Sequence, residues 1–376
     1  MTDRLDVTGL QDPTMRVRAG LLERALLRGT SVSEALDQAD RMWRFVRDGS
    51  GGRPRAGEVV GIAYDPRGGW RRIDGSGNPW TPPEGFFDRH PIWGGIRRIT
   101  VERQELVEIP AFYYRREHKG ANQFALWISP QPAQGFQPHP AFRLNGGQMP
   151  ALQVGAYEAV RDFESAGSVE NVEPLTGVDF QKMQQLCRRD GSNGFGLWSI
   201  YELAAIQMLV LIELGTPDVQ HAIAPGNVHG RGPKPTGSTA AVWRGIHELW
   251  GNVLHMVDGL RHDADGNVRV WSPDGGDGWI DTALVAGGLN GVGWVDGFRP
   301  EPEFSAVLLP ASIAGDPEDA TAPDLYIAPD RGRASVTYHG GNWSHGSQAG
   351  LFYLHCINEA SDSNSSIGGR LARRVL

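Results

Sequence analysis

The segment YHGGNWSHGSQAGLFYLHCINEASDSNSSIGGRL, Tyr338 to Leu371, combines two properties that rarely occur together. It is crowded with Asn, Ser, His and Tyr, it contains no Lys, and its acidic residues are Glu359 and Asp362 alone. Such a composition is typical of a flexible tail. The same segment contains large apolar residues that a tail does not need, namely Trp343, Leu351, Phe352, Leu354 and Ile367. The sequence therefore predicts a packed segment whose polar side chains form a surface suited to binding.

The overall composition is that of a globular protein larger than one average domain. The chain has 376 residues, of which 40% are apolar and 21% charged, and its length favours a second module or one large decorated domain. The 50 Gly, 25 Pro and 12 Trp indicate many turns fixed by large aromatic side chains, as in a loop-rich fold. The formal net charge is −8, and no basic cluster extends beyond short Arg pairs. We therefore expect no nucleic-acid partner, because such proteins concentrate positive charge on one face.

Cysteine usage and the N-terminal residues indicate where the protein is made. Cys187 and Cys356 are too few for a disulfide scaffold or a closed zinc site; we expect packed free thiols, with one disulfide between them as the alternative. The N-terminus MTDRLDVTGLQDP is charged and lacks the apolar core of a secretory signal. The most apolar run, Leu203–Leu214, is interrupted by Gln207 and Glu213 and is too short to span a bilayer. The sequence predicts a soluble protein made in the cytoplasm without a signal peptide or membrane insertion, which would leave the cell by lysis or as a virion component.

Three segments are predicted along the chain. Residues 1–50 form an N-terminal helical segment: one helix covers Met15–Arg28, and a second begins at a capping box of Ser31 and Glu34. The second helix carries one apolar stripe, made of Val32, Leu36, Ala39, Trp43 and Val46. Residues 51–98 contain a Gly-rich linker and short strands, EVVGIAYD and WRRID. Residues 99–376 form the main domain, in which we expect ligand binding and a variable region at about 335–370.

The main domain has the patterns of an α+β fold with few helices. The runs ELVEIPAFYYRRE and FALWISP have the composition of strands. Helices are predicted over Thr176–Arg189 and after Ser199, where Ser199 and Glu202 form a capping box and Gly215 ends a helix that is apolar almost all round. Beyond Gly215 the chain is rich in glycine and strand–turn–strand patterns, including a DADGN turn between LRH and VRVW.

Motifs of catalysis and metal binding are weak throughout. GSQAG at Gly346 lacks the spacing of a nucleophile elbow, no Walker loop is present, and GGLNGVG at Gly287 lacks the dinucleotide-binding spacing. His247 and His255 are too far apart for a zinc-protease helix, which needs two His four residues apart. The DADGN turn lacks the downstream glutamate of a calcium loop. We predict no catalytic residues, no metal and no cofactor.

Three further motifs follow one another behind the capped helix. They are Gly251-Asn252-Val253-Leu254-His255-Met256, His339-Gly340-Gly341-Asn342-Trp343 and Ile367-Gly368-Gly369-Arg370. Together they resemble the C-terminal core of the C-type-lectin fold in the branch of the formylglycine-generating enzymes, whose hallmarks are Gly-Asn-Val-Trp-Glu-Trp, Arg-Gly-Gly-Ser-Trp and Ile-Gly-Phe-Arg. Here Leu254 and Met256 replace Trp, and Gly369 replaces Phe. The resemblance covers residues 100–376 and implies scaffold roles for Gly251, Asn252, Gly340, Gly341, Trp343, Ile367, Gly368 and Arg370.

Within that branch the quoted segment resembles the variable proteins of diversity-generating retroelements of phages and bacteria. In those proteins adenine-directed mutagenesis rewrites selected codons near the end of the gene, often AAC, from which one base change gives His, Asp, Tyr, Ser, Thr or Ile. Ile357 is the most informative member of this set, because its neighbours are polar. The resemblance implies a diversified ligand-binding face made of Tyr338, Asn342, Ser344, His345, Gln348, Tyr353, His355, Ile357, Asn358, Asp362, Asn364 and Ser366. In LFYLHCIN, strand alternation predicts that Tyr353, His355 and Ile357 point outward together.

Three functions follow from these resemblances. The first is a non-enzymatic ligand-binding, receptor-recognition protein whose partner is an unknown protein or carbohydrate. The second is an oxidase of the formylglycine-generating type, which uses a pair of cysteines that bind copper; here Ser347 stands at one of those positions and Cys356 has no partner nearby in the sequence. The third is a structural phage tail protein decorated with a lectin-like domain. A reverse-transcriptase gene and a near-copy of the gene's end nearby would favour the first.

Overall fold

The computed structural model describes residues 57–376 apart from residues 121, 190, 192, 274–277, 286–290 and 331. The predicted N-terminal helices and nearly all of the linker lie outside the described residues. The division of the chain into segments 1–50, 51–98 and 99–376 stays a prediction. Strands and helices are numbered below in chain order.

The first sheet has the strand order β2-β1-β6-β5-β7. The two short strands predicted before residue 98 are both present, and the first of them is hydrogen-bonded to a strand of the predicted main domain, with Val60 opposite Ile128. This sheet consists of β1 (Val60–Asp65), β2 (Gly69–Asp74), β5 (Tyr113–Gly120), β6 (Gln123–Ser129) and β7 (Gln137–Pro138).

The second sheet has the order β13-β25-β10-β4-β3 and includes the C-terminal strand of the chain. The run ELVEIPAFYYRRE is divided at Pro110 between the second sheet and the first. Pro110 has no N–H to donate to a neighbouring strand. The N–H of the next residue, Ala111, donates to the carbonyl of Pro150. The strands are β3 (Arg97–Val101), β4 (Gln104–Pro110), β10 (Ala151–Gly155), β13 (Phe195–Leu197) and β25 (Leu371–Arg373).

The third and largest sheet has nine strands in the order β18-β17-β16-β22-β23-β21-β19-β20, with β24 paired to β16. Its strands are β16 (Leu254–His262), β17 (Asn267–Trp271), β18 (Trp279–Val285), β19 (Val292–Phe298), β20 (Pro310–Ala314), β21 (Leu325–Ile327), β22 (Ser335–His339), β23 (Leu354–His355) and β24 (Ile367–Gly368). The predicted DADGN turn joins β16 to β17, and the Asp263 carboxylate accepts the N–H groups of Asp265 and Asn267.

Three short two-stranded pairs connect these sheets. They are β8 (Arg143–Leu144) with β9 (Gly147–Gln148), β11 (Val160–Asp162) with β12 (Ser165–Gly167), and β14 (Val242–Trp243) with β15 (Ile246–His247).

Four α-helices occur in the described part of the chain: α1 (Phe86–Arg89), α2 (Phe180–Cys187), α3 (Ile200–Leu214) and α4 (Val219–Ala222). Helix α2 is shorter than predicted because the Asp179 side chain caps it by accepting the N–H of Lys182. Helix α3 has the predicted Ser199–Glu202 capping box and ends at Gly215, which has a φ of 73°. None of the helices in the described residues is both long and apolar enough to cross a membrane.

Helix α3 forms the centre of the hydrophobic core. Every residue from Ile200 to Ile212 is buried, as predicted from its continuous apolar character. One cluster of buried side chains joins this helix to all three large sheets. The few helices, short strands and long irregular connections confirm the prediction of a loop-rich α+β fold.

Candidate ligand-binding site

The segment 335–371 occupies the middle of the largest sheet. Strand β22 pairs with β16 on one side and with β23 on the other, and β23 also pairs with β21. Strand β24 pairs with β16 in parallel. Loops 340–353 and 356–366 therefore begin at β22 and β23, two strands that are paired on both edges, which is the arrangement of a binding loop on a rigid scaffold.

Two glycines form the turn that leaves β22. Gly340 and Gly341 have φ angles of 92° and 76°, a region that side-chain-bearing residues rarely adopt. The turn also packs closely: a Cβ on Gly341 would lie 2.6 Å from the Cβ of Ala349. The Gly340 carbonyl accepts the N–H of Gly251 at 3.0 Å. The first and second motifs of the sequence thus meet at this turn.

Asn252 connects the turn to the interior of the domain. Its Nδ2 donates to Glu158 Oε2 at 2.5 Å and to the Lys234 carbonyl at 3.0 Å, while its Oδ1 accepts from Asn227 Nδ2 at 2.9 Å and from the Lys234 N–H at 2.7 Å. All four hydrogen-bonding positions of this amide are used, so a substitution would leave several buried groups without partners. Glu158 also lies 3.2 Å from His255 Nε2.

Arg370, from the third motif, is fully buried and binds three backbone carbonyls. Its guanidinium donates to Gly155 at 2.8 Å, to His247 at 2.6 Å and to Glu248 at 2.9 Å. Burial lowers the pKa of Arg370 to about 10, so the group stays charged at neutral pH. The nearby Glu158 and Glu248 oppose this lowering of the pKa. Through its bonds to Gly155 of β10 and His247 of β15, the arginine connects two sheets at the base of the site.

The other predicted scaffold residues are placed as follows. Gly251, Ile367 and Gly368 are buried. Trp343 is half-buried, not wholly in the core. Its backbone is anchored, since its N–H donates to the Asn252 carbonyl at 3.0 Å and its carbonyl accepts from the Gly230 N–H at 2.7 Å.

Loop 346–352 is held by side chains that lie outside the predicted variable region or at its edge. Gln220 donates to the carbonyls of Gly346 and Ala349, at 3.0 and 2.6 Å. Gln207 and His339 Nε2 both bind the Leu351 carbonyl, at 2.7 and 2.9 Å, and the Asp324 carboxylate accepts the N–H of Phe352 at 2.6 Å. Each of these contacts uses the loop's backbone, so it does not depend on the loop's side chains.

Sequence reasoning missed most of these supporting residues. In the sequence, Gln207 interrupts an apolar run, and a polar side chain within a fully buried helix is expected to have a hydrogen-bond partner. That signal was available for Gln207. Gln220 and Asp324 gave no comparable signal, because their partners lie 126 and 28 residues away along the chain.

The twelve side chains predicted on the face differ widely in exposure. Ser344 and Asn364 are exposed. The half-buried members are His345, Gln348, His355, Ile357, Asn358, Asp362 and Ser366. Tyr338, Asn342 and Tyr353 are buried, so the expected exposure of Tyr353 is wrong. Their role as ligand contacts stays a prediction.

The burial of the tyrosines has a local cause. Strand β23 has only two residues, and His345 from the loop before it packs against Tyr353. The His345 ring stacks on Tyr353 with centroids 5.1 Å apart, and the His355 ring stacks on Tyr338 at 6.1 Å with an interplanar angle of 7°. These four rings form what we call the aromatic floor. The predicted alternation is retained from Leu354 to Ile357, where Leu354 and Cys356 are buried while His355 and Ile357 are half-buried.

The aromatic floor contains polar atoms that have no partner in the described part of the chain. The hydroxyl groups of Tyr338 and Tyr353 and the Nδ1 atom of His355 are buried and make no hydrogen bond there. Unpaired buried polar groups are rare and destabilising. They mark a place where a ligand or ordered water can supply the missing partner.

The floor is uncharged at neutral pH. Burial lowers the pKa of His345, and burial together with the nearby His345 lowers the pKa of His355 to about 4. Burial raises the pKa of the Tyr338 and Tyr353 hydroxyls far above neutrality. The site thus offers neutral hydrogen-bonding groups set between aromatic rings, and such groups suit adaptable recognition.

No group of three or more potential metal ligands occurs among the described residues. Cys187 and Cys356 are both buried free thiols, as expected. Burial raises the pKa of each to about 12, and the Cys356 thiol lies 3.8 Å from the Thr337 hydroxyl.

Comparisons with known proteins give structural neighbours only. No protein-family model matches the chain, and no curated protein matches it either. Among solved structures, the chain is similar to Treponema denticola variable protein 1, with a TM-score of 0.36 and 14% identity over 74% of this chain and 99% of that chain. It is also similar to PvdO from Pseudomonas aeruginosa (TM-score 0.35, 10% identity, 74% of this chain and 98% of that chain). A third neighbour is the P3c variant of the Major Tropism Determinant (0.33, 13%, 86% of this chain and 73% of that chain).

Proposed function

We propose that the chain is a non-enzymatic ligand-binding protein of the receptor-recognition type, and that a retroelement diversifies the surface of its segment 335–370. The observation that carries this proposal is the way loop 346–352 is held. Gln207, Gln220 and Asp324, all outside the segment, bind its backbone. A loop anchored in this way can change its outward side chains and keep its shape.

The aromatic floor supports the same proposal. Buried hydroxyl and imidazole groups without partners cost stability. A ligand that bonds to them gives a reason to retain them. The ligand is a protein or a carbohydrate, and a virion or cell surface is where the protein would meet it.

The oxidase alternative is less well supported by the residues present. Copper chemistry of that type needs accessible cysteine thiolates, but Cys356 is fully buried with a pKa raised to about 12. The exposed residue nearby is Ser347, which is a poor copper ligand compared with a thiolate. Oxidation of a cysteine-containing peptide with copper, lost on Cys356→Ser, would establish the oxidase instead.

The decisive test changes the face without changing its supports. A library randomised at Ser344, Gln348 and Asn364 should fold in most members and should yield binders to different displayed targets. A matched library randomised at the supports Gln207, Gln220 and Asp324 should yield few folded members. Similar folded fractions in the two libraries, or no binders from the first, would contradict the proposal. A reverse-transcriptase gene beside a near-copy of the gene's end would support retroelement diversification independently.

A further inference from the structure

Loop 227–234, with the sequence NVHGRGPK, lies beside the candidate site but outside the segment 335–370. The Gly346 N–H donates to the Val228 carbonyl at 2.9 Å, and the Gly230 N–H donates to the Trp343 carbonyl at 2.7 Å. A Cβ built on Gly346 would lie 3.2 Å from the His229 ring. The loop therefore borders the part of the face that carries the exposed residue Ser344.

The loop is fixed at its base. Asn227 Nδ2 donates to the Gly232 carbonyl at 3.1 Å within the loop and to Asn252 Oδ1 at 2.9 Å. The backbone of Lys234 binds the Asn252 amide through both its N–H and its carbonyl. Both ends of the loop are thus joined to one buried side chain, and its tip projects as a defined feature.

Three basic or titratable side chains project from this fixed loop. His229, Arg231 and Lys234 are exposed, and within the described residues none of them forms an ion pair or a side-chain hydrogen bond. Of the nearby acids, Glu158 and Glu248 are buried, and the exposed Glu170 packs against Gly237, beyond the end of the loop. Arg231 and Lys234 are therefore exposed cations without partners on a fixed loop of a chain with net charge −8, and they favour negatively charged partners.

We infer that loop 227–234 is a basic rim of the ligand-binding site, and that the ligand is a polypeptide that places an acidic residue against Arg231 and Lys234. This inference rests on the proposed function. The rim supplies a constant electrostatic contact beside a face whose other contacts vary.

An acidic polypeptide fits better than a sulfated glycan. A sulfated chain needs an extended run of cations to bind, and its repeated negative charges would be repelled by the overall negative charge of this protein. Sugars also bind by stacking on exposed aromatic faces, yet the Tyr338 and Tyr353 rings are buried and the Trp343 ring is half-buried. A polypeptide ligand can place one or two carboxylates against the basic rim and its other hydrogen-bonding groups against the aromatic floor.

The test uses the full chain and a display library of random dodecapeptides. Peptides selected on the wild-type protein should be enriched in Asp and Glu. Their affinity for the double variant Arg231→Ser, Lys234→Ser should be about fivefold to tenfold lower than for the wild type. Their affinity for the wild type should fall as salt is added. The variant should fold, because the Asn252 contacts use only the backbone of Lys234. The matched control is Arg67→Ser with Arg161→Ser, two exposed cations elsewhere on the surface, and it should bind as the wild type does.

Each outcome has a separate meaning. If the selected peptides bind the wild type and the double variant equally and are not enriched in acidic residues, the inference of a basic rim is refuted and the proposed function is unaffected. Binding of heparin that depends on Arg231 and Lys234, with no acidic peptides selected, would overturn it in favour of a sulfated glycan. If no selected peptide is sensitive to changes at Ser344, Gln348 and Asn364, the proposed function itself fails.

Discussion

The carboxylate of Asp324 lies directly beneath Gly350: a Cβ built on this glycine would be 2.0 Å from Asp324 Oδ1. The same carboxylate accepts the N–H of Phe352 at 2.6 Å. The close approach of the loop backbone to a buried acid is therefore possible only because residue 350 has no side chain. This contact fixes how deep loop 346–352 sits in the domain.

Gly350→Ala should destabilise the protein by about 1–3 kcal/mol, because the added methyl group must displace either the loop or the Asp324 side chain. Urea denaturation measures the change. Gly232→Ala is the matched control: no atom lies within 4 Å of a Cβ at that position, and we expect a change of less than about 0.5 kcal/mol. Equal effects of the two substitutions would show that the Asp324 contact does not hold the loop.

Gln220→Ala should loosen the same loop locally. The side chain binds the carbonyls of Gly346 and Ala349, and its loss should cost about 1–2 kcal/mol. Amide hydrogen exchange should accelerate at residues 346–349 while the β16 strand stays protected. Gln181→Ala, at an exposed position of helix α2, provides the control. Uniform acceleration over the whole domain would instead indicate a general loss of stability.

Tyr353→Phe should separate stability from binding. The Tyr353 hydroxyl is buried without a partner, so its removal should leave the free energy of unfolding unchanged or raise it by up to about 1 kcal/mol. If a ligand completes this hydroxyl's hydrogen bonding, the same change should weaken binding of a selected peptide. Thermal melts and titration of that peptide measure both effects. A lower melting temperature with unchanged affinity would assign the hydroxyl a structural role.

The part of this structure that the sequence predicted is local. The Ser199–Glu202 capping box, the Gly215 stop and the DADGN turn each depend on residues within a few positions of one another. The exposure of Tyr353 was predicted wrongly because strand alternation cannot reveal that His345 folds back and covers the ring. Loop 227–234 was not predicted from the sequence, because the hydrogen bonds that fix its two ends are made with Asn252, which lies 18 or more residues away along the chain.

The buried acid Glu158 should make stability depend on pH. Burial raises its pKa from an ordinary 4.5 to about 8, although Arg370 opposes the shift. A carboxyl whose pKa is higher in the folded state contributes stability that is fully present below pH 4.5 and is lost as the pH rises through about 8. Glu158→Gln removes this ionisation, so its free energy of unfolding should fall less steeply over that range than that of the wild type. Urea denaturation at several pH values measures the two slopes, and parallel slopes would contradict a raised pKa.

The two tryptophans at the site should differ in their contribution to stability. Trp250 is fully buried and its Nε1 donates to the Ala224 carbonyl at 2.9 Å, whereas Trp343 is half-buried and its Nε1 has no partner in the described residues. Trp250→Ala should therefore cost about 3–5 kcal/mol, and Trp343→Ala clearly less, because the Trp343 loop is held by backbone bonds to Asn252 and Gly230 that survive the change. Thermal melts of the two variants measure the difference. A third variant with Ser344 and Asn364 both changed to Tyr should melt close to the wild type, since both positions are exposed. If that variant unfolds while Trp250→Ala does not, the division into a fixed scaffold and a replaceable face is wrong.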